Sequence, residues 1–232
     1  VLILLSNKRG VKIKPEEREN QRYLDGAINP VGFDEECLFS FLPDKSCKIL
    51  DVGCGIGTIA KLLKDDGHDV TGIDFSSVAV NKAKQLGIHA DVVDVDKEGL
   101  PFEDGEFDIV YAGDIVEHVF DPINLMKESV RVLAPSGQFV FSVPNDITLR
   151  RRIKIFVKGI SPQTEVYREY IQCKHHTVFS MELLQYFIST TNATDYKILG
   201  ITKNPYFDSK HVIRNYLLSS LFARTFAVSI KK

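Results

Sequence analysis

ILDVGCGIG, residues 49–57, is the stretch on which the fold of this chain turns. Three apolar residues and one acid, Ile49, Leu50, Asp51 and Val52, run straight into three closely spaced glycines, Gly53, Gly55 and Gly57, and a helical pattern begins at Thr58. A strand that enters a helix through glycine can adopt dihedrals closed to other residues, and it lets the backbone approach a ligand. The spacing is not that of a dinucleotide fingerprint, which requires G-x-G-x-x-G or G-x-G-x-x-A. Here Thr58 occupies the last position, and the third glycine arrives one residue early.

Outward from this turn, short Val- and Ile-rich runs alternate with helical patterns. That alternation predicts a parallel sheet covered on both faces. Strands are expected at KILDVG, DVTGID, HADVVDV, FDIVYAG and GQFVFSV, with helices near 58–64, 76–86 and 124–133. Ser76 is placed to cap a helix, and Gly67 and Gly87 stand where left-handed terminal residues are wanted. YKILGITK and ARTFAVSIKK add two strands around an amphipathic segment from His211 to Leu221, completing a mostly parallel, doubly wound seven-stranded α/β sheet with an antiparallel C-terminal strand. EERENQRYLDG and FDEECLFSFL predict two helices over the open end of the site. The organisation expected is a helical cap over 1–46 and a main unit over 47–232, with a lid insertion near 145–178.

Composition bounds the rest. A chain of 232 residues, 44% hydrophobic and 26% charged, is sized for one substantial core. The net charge of -2 supplies no global field for nucleic acid, so no nucleic-acid partner is expected and any basic surface must be local. Cys37, Cys47, Cys54 and Cys173 lack metal-binding spacing and read as reduced thiols of a cytoplasmic protein. Val1 to Leu5 is too short to span a membrane and lacks a signal peptide's basic start; the absence of an initial Met fits a piece of a longer sequence.

Strand two ends in Asp74, an acid about twenty residues past the turn and placed to accept from ribose hydroxyls. That feature suits a dinucleotide and an adenosyl cofactor alike. The ordered series ILDVGCGIG, VTGIDFS, DVDKEGLPFEDGEFDIV and EHVFDP, from about Lys48 to Asn145, resembles the class I S-adenosylmethionine-dependent methyltransferases. Asn29-Pro30, VTGID and GDIVEHVFDP are similar to the ubiquinone-biosynthesis O-methyltransferases within that superfamily.

The resemblance implies S-adenosyl-L-methionine as cofactor and S-adenosyl-L-homocysteine as product. It implies cofactor contacts from Asp51, Gly53, Cys54, Gly55 and Gly57 in the turn, from Asp74 to ribose and from Phe75 to adenine. Asp94 and Val95 would read the adenine edge, and Ala112 and Gly113 would meet the methionine amino group. DVVDVD also offers Asp91 and Asp96, and alternation along the strand favours Asp94. No metal is expected; were one held, the family's pattern points to Asp114, Glu117 and His118, whose spacing shares one face if the segment is helical.

Two histidines are candidates for catalysis. His118 follows strand four and could take a proton from an acceptor hydroxyl, or it could hydrogen-bond its own loop. His176, beside His175 in CKHHTVF, could touch substrate or cap the entry to a helix. Cys54 reads as a small packing residue. The segment LRRRIKIFVKGI, 149–160, interleaves five cations with apolar residues; it reads as a lid with a solvated charged face or as a surface for membranes and lipid-like substrates.

Methyl transfer is a direct displacement, for which protein supplies orientation and a dry site, so no nucleophilic Ser or Cys is required. An oxygen on a small-molecule acceptor is expected, because YAGD stands where amino-group transfer would call for an N-P-P-Y type tetrapeptide. The competing readings are a dinucleotide-dependent oxidoreductase and a non-catalytic cofactor-binding protein.

Overall fold

The computed structural model of the chain describes residues 15–24, 38–159, 175–193, 195–203 and 210–232. Val1 to Leu5, Asn29, Pro30, Cys37, Cys173 and the middle of the expected lid, 160–174, lie outside the described residues.

The sheet comprises β1 (Lys48–Val52), β2 (Asp69–Asp74), β3 (His89–Val92), β4 (Phe107–Ala112), β5 (Leu133–Pro144), β6 (Asp195–Lys203), β7 (Lys210–Ile213) and β8 (Thr225–Lys231), in the order β3-β2-β1-β4-β5-β8-β6-β7. β1 to β5 pair in parallel, while β8 runs antiparallel to both β5 and β6, so β6 points the same way as the first five.

The α/β sheet and its antiparallel C-terminal strand are as expected, but the described residues form eight strands rather than seven. The extra one, β7, pairs antiparallel with β6, setting Ile201 against Val212. It falls at the start of the stretch read from His211 as one amphipathic segment. Four residues carry too little periodicity of their own, and an open edge of β6 supplies the hydrogen bonds that decide their conformation.

Neighbouring residues on β1 divide between two cores. Leu50 and Val52 join Val110, Phe139, Phe141 and Phe226 on one face, while Ile49 joins Ile109, Tyr111, Val140 and Ala227 on the other. Both faces are apolar because helices cover both, which is why these strands read as continuous hydrophobic runs.

Those helices are α1 (Pro15–Leu24), α2 (Thr58–Asp65), α3 (Ser77–Gln85), the single turn α4 (Val95–Glu98), α5 (Pro122–Arg131), α6 (Leu149–Lys158), α7 (Met181–Ser189) and α8 (Tyr216–Phe222). Their starts follow simple capping chemistry: Ser76, Asp121, Ser180 and Asn215 each accept from a backbone N–H in the first turn. Gly67 and Gly87 do take left-handed conformations, at φ 94° and 78°.

α1 is pinned to α3. Asn20 Oδ1 accepts from Ser76 Oγ at 2.7 Å and from the Val78 N–H at 3.1 Å, and Lys82 Nζ donates to the Tyr23 carbonyl at 2.6 Å. This fixes α1 beside the end of β2. The second expected N-terminal helix is seen only from Leu38, where 38–42 form hydrogen-bonded turns and Leu38 is buried in the core that holds Ile49.

Candidate active site

β1 lies between β2 and β4, so the chain leaves it in one direction for β2 and the sheet continues on the other side through β4. A crevice opens beyond the carboxyl ends of strands where the order reverses in this way, and it is the usual ligand site of open parallel sheets.

The β1–α2 turn fills one side. Gly53, Gly55 and Gly57 all have positive φ, at 75°, 55° and 82°. A Cβ on Gly57 would sit 2.8 Å from the Ala83 Cβ of α3, so this glycine also permits the close approach of two elements. The Gly53 and Cys54 N–H groups both donate to the Ile73 carbonyl, at 2.8 and 2.9 Å. Asp74 then closes the turn: its carboxylate accepts from the Gly55 N–H at 2.9 Å and from the Ser76 N–H at 2.8 Å. The Asp74 carboxylate is therefore held by main chain on both sides, with its remaining lone pairs directed by those contacts.

Cys54 is buried, and its Sγ would meet a Cβ at Gly72 at 2.8 Å. Burial first, and then the neighbouring carboxylates, push its thiol pKa up. It packs the turn onto β2 and is a poor nucleophile.

Asp51 is the residue here that the sequence alone describes least. Its side chain is buried, and its Oδ2 has no hydrogen-bond partner. Burial, with Asp74 adding like charge, raises its pKa from 3.8 to about 7. A buried acceptor without a partner is costly. An alkylammonium ion would satisfy it, and the amino acid end of S-adenosylmethionine carries one, so the residues present fit that cofactor.

The other expected contacts fall just past β2, at the start of α4 and at the end of β4. Phe75 is half-buried just after β2. Asp94 directly precedes α4 without a side-chain capping bond, its carboxylate 2.6 Å from Lys97 Nζ, and Val95 is the first residue of that helix. Buried Ala112 ends β4, and Gly113 follows it.

Past Gly113 the expectation of a helical face fails. Residues 113–120 are turns and bends, and Asp114 has φ 50°. Asp114 is taken up by β5: its N–H donates to Ser142 Oγ at 2.9 Å, and that hydroxyl donates back to Asp114 Oδ1 at 2.6 Å. Asp114, Glu117 and His118 thus do not gather as a helical triad. Ser142 offers the backbone a better partner than the next helical turn would.

The grouping that does form is Glu117, His118 and His175, each with one donor atom within 4.8 Å of the others. Glu117 Oε1 is 4.0 Å from His118 Nε2 and 3.9 Å from His175 Nε2, and the two imidazoles meet edge to face at 4.7 Å. The Glu117 carbonyl accepts from the His176 N–H at 2.7 Å, which ties the 175–177 segment to this turn. Glu117 itself is buried, its Oε2 has no hydrogen-bond partner, and burial followed by Asp114 holds its pKa well above the carboxylate range. His176 points elsewhere and stacks on Phe120, centroids 4.1 Å apart. Of the two histidines in CKHHTVF, His175 is the one that joins His118. Strand and helix patterns carry no signal for that pairing across 57 positions.

The two sides of the crevice touch. A Cβ on Gly53 would lie 3.0 Å from Ile115, so the 113–118 turn folds directly against the glycine turn.

Comparison with known proteins agrees with this geometry. Residues 50–141 match a methyltransferase domain family. The chain is 31% identical over 176 residues to the ubiquinone biosynthesis O-methyltransferase of Vibrio campbellii, covering 72% of each, and 35% identical over 119 residues to that of Thiobacillus denitrificans, covering 49% of each. Its fold is shared with a SAM-dependent methyltransferase from Thermotoga maritima, with a TM-score of 0.68 at 17% identity over 86% of this chain and 87% of that one. Phosphoethanolamine N-methyltransferase 2 of Haemonchus contortus, in complex with S-adenosylmethionine, gives a TM-score of 0.66 at 18% identity over 93% of this chain and 56% of that one. A glycine turn locked by Asp74, set in this strand order, together with the likeness to these relatives, places the chain among the class I S-adenosylmethionine-dependent methyltransferases, in the group that includes the ubiquinone-biosynthesis O-methyltransferases.

Proposed function

We propose that the chain methylates an oxygen on a small molecule, with His118 and His175 receiving the proton that the acceptor hydroxyl gives up. The observation that carries this reading is the meeting of the two imidazoles over buried Glu117, on a turn that packs against Gly53. Bound S-adenosylmethionine supplies an electrophilic methyl group and a neutral thioether leaving group. Gly53, Gly55 and Asp74 fix the position of the cofactor, and Asp51 takes its ammonium. An imidazole near neutrality suits the task of removing a hydroxyl proton as the oxygen attacks. A proton landing on either ring draws the Glu117 carboxyl toward its charged form, because opposite charge in a buried site offsets the cost of desolvation. Phe120, 72% exposed and stacked with His176, offers a flat apolar surface for a planar acceptor such as a phenol. The O-methyltransferase names of the relatives agree with an oxygen acceptor.

The donor set of two nitrogens and one carboxylate oxygen favours a second reading, in which Glu117, His118 and His175 hold a divalent cation that binds the acceptor oxygen. Labelled S-adenosylmethionine offered to panels of phenols and of amines, with and without a chelator, tests both. Transfer to phenols that survives chelation supports the first reading, loss on chelation with recovery on added metal supports the second, and transfer confined to amines rejects both.

A further inference from the structure

Three acids stand close together in DVVDVD, residues 91–96, and the structure gives each a different surrounding. Asp91 is exposed on β3, its Oδ1 3.6 Å from Lys84 Nζ of α3. Asp94, with a side chain only 19% exposed, stands at the start of α4. Asp96 turns to another element: its Oδ1 accepts from the Phe120 N–H at 2.8 Å and from the Asp121 N–H at 3.3 Å.

α4 needs such a bond. It is a single turn with no buried residue, and one turn of helix is too short to hold its shape alone. Two side chains return to the turn itself, Lys97 Nζ to the Asp94 carboxylate and Glu98 Oε1 to the Asp94 N–H, from which it accepts at 3.4 Å. The ends are fastened to the fold, through the Val93 N–H to the Asp74 carbonyl at 3.1 Å and through the Leu100 N–H to Glu128 Oε2 at 3.3 Å. Asp96 fixes what lies between them.

The far end of its bond is rooted. Phe120 and Asp121 lead into α5, whose Leu125 and Met126 are buried, and the positive end of that helix favours a carboxylate. α5 has no need of Asp96 on its own account, because Asp121 accepts from the Asn124 N–H at 2.9 Å and Pro122 occupies the first turn. The bond therefore serves to hold α4 rather than to cap α5 a second time.

We propose that Asp96 is a positioning residue for adenine selectivity: by tying α4 to the start of α5 it aims Asp94 and Val95 at the edge of the base. A carboxylate at Asp94 accepts from the 6-amino group of adenine and repels the carbonyl oxygen that replaces it in hypoxanthine, and that discrimination requires the acid to be held in place. This role rests on the cofactor of the family and on no particular acceptor.

Calorimetry with S-adenosylhomocysteine and with S-inosylhomocysteine, its deaminated analogue, tests this on the whole chain without any acceptor. The parent should prefer the adenosyl compound by about tenfold or more, the value of a hydrogen bond to a charged group. Asp96→Ala should shrink that preference several-fold, chiefly through weaker binding of the adenosyl compound, and Asp96→Asn, which keeps an oxygen acceptor, should restore it. Equal weakening of both ligands by Asp96→Ala, or failure of Asp96→Asn to restore the preference, overturns the proposal. A fall in Tm with the preference intact does so too, by showing that Asp96 merely steadies α5. Asp94→Asn separates the two levels: should the preference survive it, or be absent from the parent, Asp94 does not read the base and Asp96 has nothing to aim. A wrong acceptor class would leave every one of these measurements unchanged.

Discussion

At the ends of β1 and β2 the crevice is shaped by main-chain atoms within one continuous run of sequence, whereas past β4 and β5 it is shaped by side chains drawn from distant segments. Gly53 to Gly57 and Asp74 fix one another through three glycine conformations and two backbone N–H groups. His175 is brought to the adjacent pair Glu117 and His118 by a distant segment, 175–177, that hydrogen-bonds back to the Glu117 carbonyl. The first side is specified by local chemistry, and the second depends on tertiary closure; the function proposed above puts the cofactor on the first and the acceptor on the second.

Several substitutions would break or sharpen that contrast. The largest effect should fall on the side-chain half. His118→Ala or His175→Ala should lower kcat by about 10²–10⁴-fold if the pair removes the proton, while the cofactor affinity measured by calorimetry stays the same. A matching loss of cofactor affinity would show instead that the halves are one cooperative unit.

Next comes Gly57→Ala, which forces a left-handed alanine and sets its Cβ 2.8 Å from Ala83. Strain and overpacking together should cost about 3 kcal/mol, read as a drop in Tm of roughly 5–12 °C. No change in melting would mean that the turn tolerates a side chain and that its glycines are not a structural requirement.

Asp74→Ala should weaken cofactor binding by about 2–3 kcal/mol through loss of charge-assisted hydrogen bonds. In a folded variant, unchanged affinity would detach Asp74 from the ribose.

The smallest effect is a pH dependence at Asp51. With its pKa raised to about 7, the carboxylate needed by an ammonium is lost as pH falls, so cofactor affinity should drop about tenfold between pH 8 and pH 6. Asp51→Asn should flatten that slope. Without cofactor the sign reverses for stability: the charged form is the penalised one, so this burden is absent below the ordinary carboxylate range, grows as pH rises from about 4, and is complete above about 7. The Asn variant should therefore melt higher than the parent at pH 8 when no ligand is present, and a lower melting point would mean that the acid has a partner in solution.

This contrast also governs what could be read in advance. The turn, Asp74, the caps at Ser76 and the glycines at 67 and 87 are local in sequence, so residue type and spacing carry them. The β7 edge strand was missed because its hydrogen bonds belong to β6. The spacing of Asp114, Glu117 and His118 gives no shared helical face because Ser142, on another strand, captures Asp114. His175 rather than His176 joins Glu117 and His118, in a segment held by the His176 N–H bond to the Glu117 carbonyl, and adjacent histidines give no hint of which will make that contact. Asp51 sits in plain view in ILDVGCGIG, but its lack of a hydrogen-bond partner is a property of packing alone. In the same way, the basic stripe of α6 was visible in sequence, whereas the exposure of Ile153, Phe156 and Val157 on it was not.

Asp74 grips the amides of Gly55 and Ser76 through bonds internal to the chain, so a nucleoside docking against it would meet groups that the fold itself has already ordered. Little ordering entropy then remains to be lost on arrival. Those two amide protons should exchange with deuterium slowly even in ligand-free protein, and filling the crevice should slow them only modestly further.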